Sequence, residues 1–186
     1  GDNLQAYAND VRLFGVRRGS GESLWEIRSR IGVVSAALQV RFRTADTLRE
    51  AVLSGFADSV GLYRRPTPAE GEVADRWIDR LGLADLAERV YAELSTGERR
   101  MALIARAMVK DPELLILDEP CDGLDPANRA RVLEVVDRAV ENGATSILYV
   151  SHLEAELPAC LTHVLRLPGR GGRATTGALS APPAAP

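Results

Sequence analysis

With 186 residues, 46% hydrophobic and 26% charged, the chain is long enough to bury one proper core and too short for two full domains. A net charge of −3 gives no drive toward nucleic acid, and no apolar run reaches the ~20 residues that span a bilayer, so any membrane role runs through a partner. Cys121 and Cys160 lie far apart without metal-site spacing, which fits a reducing compartment.

In chain order, Gly1 to Asn9 reads as polar and turn-like, and Val11 to Phe14 as a short strand. A hairpin or surface loop follows through Arg17-Arg18-Gly19-Ser20-Gly21. Ser23, with Glu26 three residues on, predicts a short capped helix over Leu24 to Arg30, and Ile31 to Val34 a buried strand. Helical spacing then marks Thr47 to Gly55, Pro68 to Leu81 with Gly82 as its stop, and Ser95 to Lys110. Leu114 to Leu117 is short and continuously apolar, as expected of a strand covered on both faces. Asp125-Pro126 opens a helix running to Asn142 and ending at Gly143. Ser146 to Val150 is a further strand, with a short helix near Glu154 and a last strand from His163 to Leu167. The Gly, Ala, Thr and Pro content after Pro168 predicts a disordered tail.

Three elements between Leu94 and His152 carry chemistry. Leu94-Ser95-Thr96-Gly97-Glu98 is by its residues a capping box, with Ser95 accepting from the helix and Glu98 reaching back. The same geometry offers an anion free N–H groups and about half a positive charge, and Gly97 permits a close backbone approach. The strand Leu114 to Leu117 ends in Asp118-Glu119. Neighbouring strand residues point opposite ways, so Asp118 can hold Mg²⁺ through water while Glu119 faces an attacking water as general base. Read blandly, the pair only marks a strand end. Ser151-His152 follows the next strand, at the carboxyl end where open α/β sheets gather ligands, although a lone histidine is equally a solvated polar residue. Gly123-Leu124-Asp125 is by itself a turn plus N-cap, and His163 receives no role.

Ser95 precedes Asp118 by 23 residues and Asp118 precedes His152 by 34. In this order and spacing the elements resemble the ATP-binding cassette (ABC) ATPases. The resemblance implies an α/β, P-loop NTPase-like, mostly parallel sheet with a helical signature subdomain over about 36–110. The domain would span 1–168, incomplete at its N-terminus, with the tail at 169–186. Residues 94–98 resemble the ABC signature, usually Leu-Ser-Gly-Gly-Gln, with Thr96 and Glu98 as departures. The acidic pair resembles the Walker B segment, which makes Asp118 the metal residue and Glu119 the catalytic base. His152 looks like the switch histidine that contacts the γ-phosphate, and Asp125 like part of the D-loop lining a dimer interface. Ser95, Gly97 and Glu98 would then serve ATP bound to an opposite cassette.

The implied cofactors are ATP and Mg²⁺. The implied partner is a second cassette, within one chain or in a homodimer, and in a transporter a membrane permease subunit. No direct membrane insertion and no nucleic-acid partner are expected, and the implied location is cytoplasmic, peripheral at the inner face of the cell membrane. The competing class is a soluble switch used in repair, gene regulation or translation. A chromosome-maintenance ATPase would need a long coiled coil between Gln39 and Leu94, and there is no room for one.

Two departures shape the expectation. No Gly-x-x-x-x-Gly-Lys-Ser/Thr phosphate loop is present, and Lys110, the sole lysine, is followed by Asp111-Pro112 at a helix end. Truncation accounts for this, with the phosphate loop upstream of Gly1, and the lost strands would leave apolar sheet surface exposed. Also, Ile31-Gly32-Val33-Val34 is followed by Ser35-Ala36 where the family places the glutamine of its Q-loop, with Gln39 as a substitute if the loop is longer. The stretches Leu13 to Gly32 and Val52 to Tyr63 are similar to molybdate-transport-linked, photorepair-type proteins with two cassettes on one chain, of which this would be the second.

Overall fold

The computed structural model describes residues 12–17, 21, 23–42, 45–141, 143–168 and 173–179. Ser23, Thr47, Thr67 and Ser95 each accept from the backbone N–H three residues on, and Glu26, Glu50, Glu70 and Glu98 each reach back to the cap. These boxes start α1 (Leu24–Ser29), α3 (Leu48–Leu53), α4 (Pro68–Arg80) and α5 (Thr96–Met108). Each satisfies N–H groups that a helix start leaves without partners. Gly82, at φ 67°, stops the chain just past α4 as expected, because a left-handed backbone suits a residue without Cβ.

Helix α5 is the hub. Every residue from Arg100 to Met108 is buried, which marks a helix enclosed on all sides. It packs on α3 and α4, and on the sheet through Gly32 of β3 (Ile31–Ser35). A Cβ on Gly32 would lie 2.9 Å from the Ala107 carbonyl oxygen, so only glycine allows this approach. Two cations at this core are tied down. Arg106 donates to Ser54 Oγ (3.2 Å) and Ser59 O (2.8 Å), and Lys110 Nζ donates to Arg28 O (2.8 Å). Asp58 Oδ1 sits 3.7 Å from both cations. The only lysine is thus a structural residue.

Strands β3, β4 (Leu114–Asp118) and β5 (Ser146–Val150) form a parallel sheet in that order. Its rows run Val33, Ile116, Leu148, then Val34, Leu117, Tyr149, then Ser35, Asp118, Val150. Helix α6 (Pro126–Val140) connects β4 to β5, beginning at the expected Asp125 cap. One sheet face is sealed, with Val34, Leu115 and Leu117 fully buried. The other is open: Val33 is 42% exposed, Leu148 51% and Val150 43%. The expectation that Leu114 to Leu117 is covered on both faces therefore fails. Its residues are apolar enough for two covers, and the described chain supplies one.

Other expectations also change. The strand expected over Val11 to Phe14 is β1 (Arg12–Leu13), paired with β2 (Val16–Arg17) across a turn in which Phe14 takes φ 51°. Gly1 to Val11 and Arg18 to Ser20 lie outside the described residues. The helix expected to Gly55 continues as a 3₁₀ turn over Ser54–Ala57, and the helix near Glu154 is a single 3₁₀ turn. No loop follows β3: Ser35 accepts from Leu38 N and caps α2 (Ala36–Arg41) directly. The tail expectation is overturned between Thr175 and Ala178, which form β7, antiparallel to β6 (His163–Arg166). A Gly-rich composition concealed a strand whose support is pairing with β6 rather than a core. Residues 169–172 and 180–186 lie outside the described set.

Candidate active site

Asp118 closes β4 and is solvent-exposed at the carboxyl end of the sheet, between Ser35 and Val150 in its row. The alternation argument for the acidic pair needs correcting, because Glu119 lies past the end of the strand. Its backbone takes φ 47°, a left-handed conformation that a non-glycine residue adopts at an energetic cost. Two main-chain bonds hold it there: Glu119 N donates to Val150 O (3.0 Å), and Asp122 N donates to Glu119 O (3.2 Å). This turn, rather than strand alternation, separates the two carboxylates. It aims Glu119 across the sheet end to the loop after β5, where Oε1 meets His152 Nδ1 at 3.1 Å. Both side chains remain open to solvent, at 43% and 60% exposure. A carboxylate held by an imidazole at the mouth of a parallel sheet can accept a proton from a nearby water.

The second cluster is the start of α5. Ser95 Oγ accepts from Glu98 N (3.3 Å), and Ser95 N donates to Glu98 Oε2 (2.7 Å). That backbone donor holds the Glu98 carboxyl below its usual range. Gly97 is buried, and a Cβ there would lie 2.7 Å from Asn128 Oδ1. A side chain at 97 would thus force the Asn128 side chain to shift, independently of any ligand. Asn128 Nδ2 in turn donates to Asp125 Oδ2 (2.6 Å), and Asp125 Oδ1 accepts from Ala127 N and Asn128 N, both at 3.0 Å. The Asn128 N–H heads the contacts that lower the Asp125 pKa. Asp125 is therefore a helix cap, and Asn128 ties it to Gly97. Spacing alone could not reveal Asn128, since nothing in the sequence says what faces Gly97.

Gln39, the possible Q-loop substitute, sits within α2 with its Oε1 buried and without a partner among the described residues. Behind the site, Arg100 is 2% exposed, and its Nε and Nη1 likewise lack partners among the described residues. Burial lowers its pKa against the opposing fields of Tyr91, Cys121, Asp122 and Tyr149. Cys121 is fully buried, 3.4 Å from Tyr149 Oη, and burial pushes its thiol up, away from nucleophilic use. Among the described residues no three acidic, His or Cys side chains gather into a metal site. A lone exposed carboxylate such as Asp118 still suits Mg²⁺, which takes one or two carboxylates and fills its shell with water and phosphate oxygens.

Comparisons with known proteins give the family. The ABC transporter family model matches residues 3–122. The chain is 45% identical over 173 residues to the ABC transporter ATP-binding protein ModF of Escherichia coli strain K12, covering 92% of this chain and 35% of ModF. It is 38% identical over 109 residues to the molybdenum import ATP-binding protein ModC of Rhizobium etli, covering 59% of this chain and 31% of ModC. Among solved structures, an inward-facing putative metal-chelate-type ABC transporter superposes with TM-score 0.65 at 28% identity, over 80% of this chain and 58% of that one. The chain thus spans about a third of the length of these two curated relatives. With the acidic pair, its histidine and the capped α5 arranged as described, the chain belongs to the ABC transporter family of ATP-binding proteins.

Proposed function

We propose that this chain is the catalytic and signature-bearing part of an ATP-hydrolysing cassette, working within a longer polypeptide. The observation that carries the reading is the 3.1 Å contact between Glu119 and His152 at the carboxyl end of the sheet. Glu119 takes a proton from the attacking water, while His152 fixes its carboxylate and faces the terminal phosphate. Asp118 would hold Mg²⁺, and the metal would supply charge neutralisation on the phosphates. Ser95, Gly97 and Glu98 present the α5 start to ATP on a second cassette, and Asp125 stands at the interface between the two. The reading requires a lysine-bearing phosphate loop, a motif these 186 residues do not contain. The edge of β5, unpaired among the described residues, and the open face at Val33, Leu148 and Val150 give such a segment a place to pair and pack.

The proposed role is energy coupling at the cytoplasmic face of a membrane through a permease, with molybdate as cargo. The likeness to ModC supports that cargo. A second reading is a soluble regulatory switch. Its support is that Ser35 caps α2 directly, leaving no loop where a permease-sensing glutamine is expected. Phosphate release by the longer polypeptide tests the core reading: Glu119→Gln should lower turnover by about 10²–10⁴-fold while ATP still binds. Unchanged turnover would sink it. Co-purification with a membrane permease, rather than with ribosomes or nucleic acid, separates the two roles.

A further inference from the structure

Glu156 is 4% exposed, yet it lies in the short 3₁₀ turn Glu154–Glu156 just after the His152 loop. Its two oxygens face different elements. Oε1 lies 3.0 Å from Arg129 Nε of α6, too far off the N–H direction for a hydrogen bond, so the contact is an ion pair. Oε2 lies 3.4 Å from Ser151 Oγ, whose single proton it shares as acceptor with Leu153 O at 3.2 Å. Ser151 immediately precedes His152, and its Oγ also accepts from Leu153 N (3.0 Å), so the hydroxyl brackets the histidine on both sides. At the far end, Arg129 Nη2 donates to Leu124 O (3.5 Å), in the turn that ends at the Asp125 cap.

We infer that the Glu156–Arg129 pair is a positioning device that fixes His152 against Glu119 and ties both to the Gly123-Leu124-Asp125 turn. A buried carboxylate this close to a single cation is costly to leave alone, so the two move together. Displacement of the turn, which carries the proposed interface residue Asp125, then reaches the Ser151-His152 segment through one ion pair. Glu119 itself is held by Val150 O, one residue before Ser151, so acid and imidazole share the same short span. The device touches no reacting atom; it acts by placing the histidine.

This inference rests on the proposed ATPase reading, and the test separates their failures. In the longer polypeptide, Glu156→Gln keeps the shape and the Ser151 contact but removes the charge. It should lower kcat about tenfold with KM for ATP unchanged, because misplacement of a catalytic group slows the chemical step without weakening binding. Arg129→Lys retains the cation but not the reach to Leu124 O, and should lower kcat about threefold, again at constant KM. Glu119→Gln is the control for the parent reading: turnover insensitive to it rejects that reading. Turnover that collapses in Glu119→Gln but keeps its wild-type kcat in both Glu156→Gln and Arg129→Lys overturns the positioning role. A rise in KM parallel to a loss of thermal stability in both variants also overturns it, since that outcome marks a merely structural pair.

Discussion

The helical half and the sheet half of this molecule are built to different degrees of closure. Around α5, Leu48, Val52, Ile78, Leu103 and Ile104 are buried to 2% exposure or less, and α3, α4 and α5 each begin in a complete capping box. The sheet seals one face and leaves Val33, Leu148 and Val150 about half open on the other. The chemistry sits on the open half. Asp118, Glu119 and His152 project from strand ends whose outer face and outer edge have no cover within the described chain. Apolar area left in water contributes nothing to stability, so the contrast is energetic as well as geometric.

The contrast can be broken or sharpened by substitution. Leu103→Ala in the closed half should destabilise the chain by about 2–5 kcal/mol in urea unfolding, the usual range for emptying a sealed site. Leu148→Ala on the open face should cost less than about 0.5 kcal/mol. In the longer polypeptide the Leu148→Ala cost should rise toward the Leu103→Ala value. If it stays near zero there, no segment covers that face. An effect smaller than that of Leu103→Ala is expected where the halves meet. Gly97→Ala drives a Cβ against Asn128 and should cost about 1–3 kcal/mol, with Asn128→Ala relieving part of it. Failure of that relief would show that Gly97 is needed for another reason.

The smallest effect belongs to the surface of the helical half. The Arg64 guanidinium, followed by the Thr67 N–H, holds the Glu70 carboxyl at about 2. A depressed folded-state value means stability that is fully present above the ordinary value of 4.5 and is lost as pH falls toward 2. Arg64→Ala should flatten that acid-side loss in unfolding midpoints measured between those limits. The change should be modest, since Arg64 is 45% exposed and solvent screens the pair.

Much of the fold was legible locally. The four Ser/Thr-x-x-Glu boxes, the Asp125-Pro126 start and the Gly82 stop act through bonds within a few residues, so spacing announces them. The acidic pair and the histidine were legible as candidates from their order. Their contact was not, because the left-handed turn at Glu119 depends on a bond from the neighbouring strand. Strand β7 was hidden for the same reason: Thr175 to Ala178 is strand-like only beside His163 to Arg166.

By itself, then, the sequence determined where the helices capped by Ser23, Ser95 and Asp125 begin, which strand carries the acids, and which family the order of motifs resembles. Those features are short-range, set by caps, periodicity and residue type. Tertiary structure alone decided that Glu119 reaches His152, that Gly97 faces Asn128, that Glu156 is paired with Arg129, and which sheet face is bare. Each of these joins residues brought together only when strands pair and helices dock, a distance no local pattern encodes.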